Sequence, residues 1–278
     1  MKIDTYKKIV AKLKNVRRRD ELPELCSEFP NVSIATMGSI YSQENQKKLR
    51  RTHHYHYSPK QTAVYYKKFL AARDKQEKHI LYRMSEEADF SPSQLARIVL
   101  EEHLMVTLDK DHIPKVTLSK YLKSPLTIDD HVLSAEVLEC IAVDDHYGPF
   151  TDCIKHAIGY EYEFELKKTL ESLALPYIGE EVMREKGYDK TPDIKLEIPI
   201  AVDGYIVNWI ESKASFGDEF NHEIYLREQY WSYWNRFGAG MVIYWFGFID
   251  ELDVNKEKGI ILKDSFPQNI VFFDPTGD

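Results

Sequence analysis

The stretch YDKTPDIKLEIPIAVDGYIVNWIESK, from Tyr188 to Lys213, decides the fold of the C-terminal part of the chain. Its two halves are rich in branched and aromatic residues, as strands usually are. The pair Asp203-Gly204 between them is a strong signal for a tight turn between antiparallel strands. We therefore predict a hairpin with strands at about 193–201 and 205–214.

Charged side chains gather at one end of this hairpin. Alternation along a strand places Glu211 and Lys213 on one face, with the Ser212 carbonyl at the same end, and Asp193 opens the partner strand beside them. Two carboxylates and one ammonium at the end of a mostly apolar hairpin are costly unless their charge is compensated. A bound divalent cation would compensate it, since carboxylate and carbonyl oxygens are suitable ligands.

The same residues resemble a known signature. Pro192-Asp193, then seventeen residues, then Glu211-Ser212-Lys213 is similar to the motif of the PD-(D/E)XK, restriction-endonuclease-like nucleases. The flanks TPD, NWIESKASFGDE and QYWSYWNRFGAGMVIYWFGF look like those of the eukaryotic codanin-interacting nuclease family, most densely from 186 to 253. The resemblance implies a nuclease that hydrolyses DNA with Mg²⁺ or Mn²⁺, binds codanin and resides in the nucleus, with the cytoplasm as a further location.

The resemblance also implies a carboxylate on the first helix of the nuclease domain. Nucleases of this fold commonly place it four residues after a glycine, and Gly159 to Glu163 has that spacing in a helix predicted over 151–173. Glu161 and Glu165 compete with Glu163 for this role. The alternative is that all three acids only solvate the helix.

A second pair of residues follows the hairpin. Gln229 and Tyr233 lie at i, i+4 spacing on a helix predicted over 219–236, and they resemble the Q-x-x-x-Y element of the RecB-like branch of the superfamily. The resemblance places this element beside the metal and the scissile strand. The alternative is an ordinary packed helix face in an aromatic segment.

Further strands are predicted at 241–248, from a continuous apolar run, and at 259–262 and 269–273. The fold class is therefore α/β, and the order helix, three strands, helix, strand is that of a restriction-endonuclease-like αβββαβ sandwich. We assign residues 150–278 to this nuclease domain.

Residues 1–149 are predicted to be all-helical. Helices at 4–18, 20–28 and from Ser33 through the forties, and a clearer pair at 77–88 and 93–104, are compatible with helix-turn-helix units that contact DNA. Helical hairpins that never touch DNA fit the pattern equally well. The segment 52–57 is interpreted as a linker, and His53, His54 and His56 as structural or phosphate-contacting rather than metal-binding.

The charge distribution separates the chain in the same way. The formal net charge is −8, but residues 1–78 hold 18 Lys and Arg against 8 Asp and Glu, a balance of +10, which leaves −18 for the rest. A basic N-terminal third could neutralise phosphates, and an acidic remainder suits a metal site. Alternatively, the charges only solvate helix faces.

Other features exclude several classes of protein. The three cysteines, at 26, 140 and 153, are far apart and form no C-x-x-C pair, so neither a disulfide framework nor a zinc knuckle is indicated. No apolar run approaches the roughly 20 residues needed to cross a bilayer. A metal-dependent deoxyribonuclease is the main hypothesis, and a weakly active or inactive nuclear module that binds nucleic acid and codanin is the alternative.

Overall fold

The computed structural model describes residues 1–272 and shows a mixed α/β protein whose helices precede and flank one sheet. The helices, in chain order, are α1 (Ile3–Leu13), α2 (Leu22–Ser27), α3 (Ile34–His56), α4 (Pro59–Asp74), α5 (Ile80–Ala88), α6 (Pro92–Leu108), α7 (Lys115–Lys123), α8 (His131–Val143), α9 (Pro149–Ser172), α10 (Glu180–Glu185), α11 (Glu219–Tyr225) and α12 (Trp231–Phe237). None of these helices is both long enough and apolar enough to span a bilayer.

The strands are β1 (Tyr177–Gly179), β2 (Ile194–Val202), β3 (Tyr205–Lys213), β4 (Gly240–Tyr244), β5 (Ile260–Lys263) and β6 (Ile270–Phe272). They form a mixed sheet in the order β1-β2-β3-β4-β5, with β6 also paired to β2. The β1/β2, β2/β3 and β2/β6 pairs are antiparallel, whereas β3/β4 and β4/β5 are parallel. The sheet therefore has the long predicted hairpin at its centre.

The turn of that hairpin forms for a local reason. Asp203 and Gly204 both have positive φ values, of 52° and 85°. Two successive residues of this conformation give a turn whose twist matches that of the flanking strands. The hairpin prediction is confirmed, with a register irregularity in β2 between Lys195 and Ile200.

The chain divides into two compact units. One consists of Met1–Tyr41 with the described residues from Ala157 onward, and the other of Ser42–His156. The division falls within α3 and α9. The first 41 residues thus belong with the sheet, although their sequence groups them with the helical half. The roles assigned to 1–149 and 150–278 stay predictions.

Each unit has its own core. In the helical unit, α4, α5, α6 and α8 bury apolar side chains such as Phe69, Leu81, Leu95 and Val137. In the sheet unit, Leu166 and Leu170 of α9 pack on one face of the sheet, against residues such as Ile210. The other face is covered by α11 and α12. There Tyr230 and Tyr233 pack on residues that include Trp209, Val242 and Tyr244.

Three predicted boundaries are wrong. The segment 52–57 is not a linker, because α3 continues to His56, whose buried ring stacks on Phe90 at 3.9 Å. The strand predicted at 241–248 ends at Tyr244. The helix predicted over 4–18 ends at Leu13. Local periodicity does not fix these ends, since tertiary packing decides them. Of the strand predicted at 269–273, position 273 lies outside the described residues.

The helix predicted over 219–236 is interrupted. A five-residue π-helical turn, Leu226–Tyr230, separates α11 from α12. Such turns change which side chains share a face, and they occur frequently at functional sites. Here the turn carries Gln229, which contacts Lys213 at the charged end of the hairpin.

Candidate active site

The end of the hairpin opposite its turn brings the predicted acids together. Asp193 immediately precedes β2, and the Ile194↔Ile210 pairing sets it beside the end of β3. The Ser212 amide donates a hydrogen bond of 2.7 Å to Asp193 Oδ2. Burial raises the pKa of Asp193 well above its ordinary value, and the negative charge of Glu211 raises it further. The two carboxylates therefore repel each other.

Lys213 is the cation within this cluster. Its Nζ donates to Glu211 Oε1 at 2.6 Å and to Gln229 Oε1 at 3.1 Å. Both partners of the ion pair are largely buried, with side chains 17% and 4% exposed. Burial alone would lower the pKa of Lys213, but the Glu211 carboxylate outweighs it and the pKa is raised. Lys213 is thus held in its charged form.

Helix α9 presents a third carboxylate to the same region. Glu163 is half-buried, and burial followed by the charges of Glu180 and Glu211 raises its pKa, while Lys167 and Lys213 oppose the rise. Glu161 and Glu165, its competitors, are exposed. Glu163 is thus the one of the three that is partly buried and lies in the electric field of Glu211 and Lys213. Its assignment as a metal ligand stays a prediction.

The π-helical turn and the helix after it position the remaining predicted pair, Gln229 and Tyr233. Gln229, within the turn, contacts Lys213 as described. Tyr233, in α12, is buried edge-on to Trp209 at a centroid distance of 5.3 Å. Burial raises the pKa of Tyr233, and the charges of Glu211 and Asp193 add to the rise, which places its hydroxyl in their field. The structure therefore brings Gln229 to the lysine and Tyr233 to the acids.

Ser212 differs from its two neighbours in where its side chain lies. Its Oγ accepts a hydrogen bond of 2.8 Å from Trp245 Nε1, and Trp245 packs against Tyr162 of α9 at 5.1 Å. This contact locks the strand end while Glu211 and Lys213 lie towards the opposite face of the sheet. Because its side chain is bonded to Trp245, Ser212 has its main chain left to serve as a ligand.

One carboxylate oxygen in the cluster lacks a hydrogen-bond donor. Glu211 Oε2 is buried and accepts no hydrogen bond from any described residue. Such an atom is costly unless it receives a donor or a cation. With Asp193 beside it and one lysine for several acids, the donor set consists of hard oxygens with excess negative charge and fits a divalent cation. The chemistry of these oxygens suits a cation, but across residues 1–272 no group of three or more His, Cys, Asp or Glu side chains is placed so that it could hold a metal ion as it stands.

Two residues near the cluster were missed by the sequence reasoning. The ring of Tyr225 lies under Lys213 Nζ, 4.7 Å from the ring centroid. Glu180, at the start of α10, binds Arg184 and accepts a hydrogen bond of 3.2 Å from the buried Thr191. The i, i+4 spacing of Tyr225 and Gln229 does not indicate this contact, because it assumes a regular helix where Leu226–Tyr230 forms a π-helical turn. No sequence signal indicated Glu180.

A buried polar chain lies beneath the acids. His222 Nδ1 is 2.9 Å from the Tyr244 hydroxyl, which is 3.1 Å from that of Tyr230. Burial lowers the pKa of His222 to about 4, although Asp253 and Asp218 act to raise it. His222 therefore stays neutral in the folded protein under mildly acidic conditions in which it is protonated in the unfolded chain.

This histidine makes stability depend on pH. Between about pH 6.5 and pH 4 the unfolded state binds more protons, so the free energy of unfolding falls as the pH falls through that range. We expect a loss of about 2–3 kcal/mol from this group between pH 7 and pH 4. Urea unfolding of the wild type and His222→Gln at both pH values measures it. Taking the difference between the two proteins cancels every other titrating group, and a difference that does not change with pH would contradict the assignment.

The fold and the cluster together define the class: a mixed α/β protein with a buried carboxylate–lysine site at the end of a sheet hairpin. Residues 129–266 match the family described as "Protein of unknown function TPD sequence-motif", and Thr191-Pro192-Asp193 lies within that match. Proteins called CDAN1-interacting nuclease 1 are similar over 91% of this chain. The Mus musculus protein is 49% identical with 90% of its length covered, the Homo sapiens protein 48% with 90%, and the Xenopus tropicalis protein 50% with 84%. No solved structure matches the chain.

The chain belongs to the CDAN1-interacting nuclease 1 family. The resemblance to the codanin-interacting nuclease family, inferred from the flanks of the hairpin, is thereby confirmed. The PD-(D/E)XK assignment stays a prediction.

Proposed function

We propose that this protein is a divalent-metal-dependent nuclease that hydrolyses phosphodiester bonds in DNA. We further propose that its sheet unit has the restriction-endonuclease-like layout of the PD-(D/E)XK superfamily. The observation that carries the proposal is the buried Glu211 carboxylate, which binds Lys213 through one oxygen and leaves the other without a hydrogen bond from any described residue. The names of the relatives, which denote nucleases, support it.

The residues proposed to hold the cation are Asp193, Glu211, Glu163 and the main chain of Ser212. Mg²⁺ or Mn²⁺ suits such oxygen ligands. When bound, the cation supplies positive charge against the phosphate and makes water a stronger acid. Its positive charge would also offset the burial and the repulsion by Glu211 that together raise the pKa of Asp193.

Lys213 performs the other part of the proposed chemistry. Its ammonium has three N–H donors, and Glu211 and Gln229 accept two hydrogen bonds from it. The remaining donor is available to orient water or to offset negative charge that develops on the phosphate. Gln229 then acts by holding Lys213, and Tyr233 by supporting the acids from α12, on the same face of the sheet.

The partners are proposals of the same kind. The relatives' name states an interaction with CDAN1, and we propose codanin as a partner of this protein in the nucleus. The helical unit contains the basic part of α3 and all of α4, and we propose that its paired helices contact DNA in helix-turn-helix fashion. Lys47, Lys48 and Arg73 already pair with acids, so they are weaker candidates for phosphate contacts than Arg51 and Lys67.

A second candidate function is a nuclear interaction module with little or no activity. One observation favours it: Asp193 already accepts a hydrogen bond from Ser212, and Glu211 already pairs with Lys213, so both acids have partners without any cation. The two candidates differ in whether a cation binds and in whether Lys213 matters for cleavage.

The proposed function is tested by comparing the rates at which wild type and Lys213→Ala cleave DNA. Labelled single-stranded, duplex and branched DNA are incubated with Mg²⁺ and either wild type or variant. We expect the variant to be slower by on the order of 10²-fold, because one contact to developing charge is lost.

The matched control for this assay is Lys263→Ala. Lys263 also pairs with a carboxylate, that of Asp203, but at the turn end of the hairpin. The Lys263→Ala variant should cleave DNA at the wild-type rate. Equal cleavage by wild type and Lys213→Ala would indicate a contaminating nuclease and reject the assignment.

A further inference from the structure

Three groups surround the Lys213 ammonium, and one of them is an aromatic ring. Glu211 and Gln229 accept its hydrogen bonds, and the Tyr225 ring lies 4.7 Å from Nζ. Tyr225 is the last residue of α11, immediately before the π-helical turn, and Gln229 lies within that turn. The segment that departs from regular helix geometry is thus the one that encloses the lysine.

On the basis of the proposed nuclease function, we infer that Tyr225 is a positioning residue, whose ring face holds the Lys213 ammonium beside Glu211 so that its free N–H donor faces the substrate. A cation over a tyrosine face is attracted by the negative potential of the ring. This attraction acts on the whole charge of the ammonium and not on one N–H bond. It therefore restrains the position of Nζ and leaves the third N–H free to donate a hydrogen bond. A hydrogen-bond acceptor at the same place would consume it.

The surroundings of Tyr225 support a role other than core filling. Tyr230 and Tyr233, on the same stretch of chain, are buried in the aromatic layer, whereas Tyr225 is only half-buried at its edge. The Tyr225 and Tyr230 rings lie 6.0 Å apart, so the buried Tyr230 supports Tyr225 from behind. A side chain that is partly exposed and directed at a buried ammonium is placed to control where that ammonium points.

Two substitutions separate the ring from the hydroxyl. Tyr225→Phe keeps the ring face, and Tyr225→Leu keeps much of the apolar volume but removes the face. We expect Tyr225→Leu to lower kcat roughly tenfold with KM within about twofold of wild type, and Tyr225→Phe to restore most of kcat.

The matched control is Tyr147→Leu. Tyr147 also lies against a lysine, Lys155 at 5.8 Å, but in the helical unit. The Tyr147→Leu substitution should leave kcat unchanged. A kcat of Tyr225→Leu equal to that of this control, or a fall in Tyr225→Phe as large as in Tyr225→Leu, overturns the inference.

A second measurement does not depend on activity. In cation-free protein with isotope-labelled lysine, the ring current of Tyr225 should shift the Lys213 ε-methylene protons upfield of the other lysines, with Lys213→Ala identifying the signal. The shift should persist in Tyr225→Phe and vanish in Tyr225→Leu. A wild type that shows the shift but cleaves no DNA rejects the proposed function while the contact stands. A Lys213 signal without any shift rejects the positioning role whatever the activity.

Discussion

Asp193→Asn is expected to abolish cleavage and at the same time to stabilise the cation-free protein. The pKa of Asp193 is raised, first by burial and then by Glu211, so the ionised carboxylate opposes folding at neutral pH. Asparagine keeps an oxygen that can accept the hydrogen bond from the Ser212 amide and removes the charge. We expect a gain in the free energy of unfolding of about 1 kcal/mol and a loss of cleavage of roughly 10³-fold or more.

The two effects have one physical cause. A carboxylate that is repelled by its neighbour in the cation-free protein is the group with most to gain from a cation, so the same charge that costs stability creates affinity. Urea unfolding in a chelator measures the first effect, and calorimetry with Mg²⁺ or Mn²⁺, with and without DNA, measures the second. Wild type should bind the ion, and the variant should bind it much more weakly.

Asp189→Asn is the matched control, since it makes the same change four residues earlier. Asp189 is exposed and pairs with Arg236 at 2.7 Å, and this hydrogen-bonded pairing lowers its pKa. Its charge therefore favours folding, and its replacement should not stabilise the protein or impair cleavage. If Asp193→Asn destabilises the cation-free protein, the cost of burying the Asp193 charge beside Glu211 is not the dominant effect. If wild type binds no ion even with DNA present, the interaction-module function is preferred.

The structure also shows which parts of the site were accessible from sequence. Asp203-Gly204 specifies its turn through two adjacent residues, and strand alternation then fixes which side chains end beside Asp193. These signals are local, and the convergence of Asp193, Glu211 and Lys213 follows from them. The contact of Tyr225 with Lys213 does not, because the sequence pattern predicts a regular helix where Leu226–Tyr230 forms a π-helical turn.

Long-range packing was equally out of reach. Tyr6 in α1 stacks on Phe216 at 5.8 Å, and Ser39 Oγ accepts a hydrogen bond of 2.8 Å from the Phe216 amide. Nothing in the periodicity of α1 distinguishes a helix that packs on its sequence neighbours from one that packs against a distant part of the chain. The amphipathic pattern indicates that a face is buried, and it does not indicate against what.

Gly240→Ala is expected to cause the largest loss of stability. Gly240 pairs with Trp209 across β3 and β4, and a Cβ at Gly240 would lie 2.1 Å from Trp209 Cε2 and 2.2 Å from Cδ2. The Trp209 ring is fully buried, and its Nε1 donates to the Gly238 carbonyl at 2.8 Å, so it cannot move aside cheaply. We expect a loss of roughly 3–4 kcal/mol in urea unfolding, at or above the upper end of overpacking effects.

Gly159→Ala is the control, and it should have the opposite sign. Gly159 lies inside α9, and a Cβ added there would meet no heavy atom of a neighbouring element within 4 Å, so alanine should gain about 0.5–1 kcal/mol from helix propensity alone. The cause of the Gly240 effect can be isolated with Trp209→Leu. If the clash with the ring dominates, the double variant should lose less than the sum of the two single variants. Additive losses would show that Gly240 is required for its backbone and not for the space it leaves.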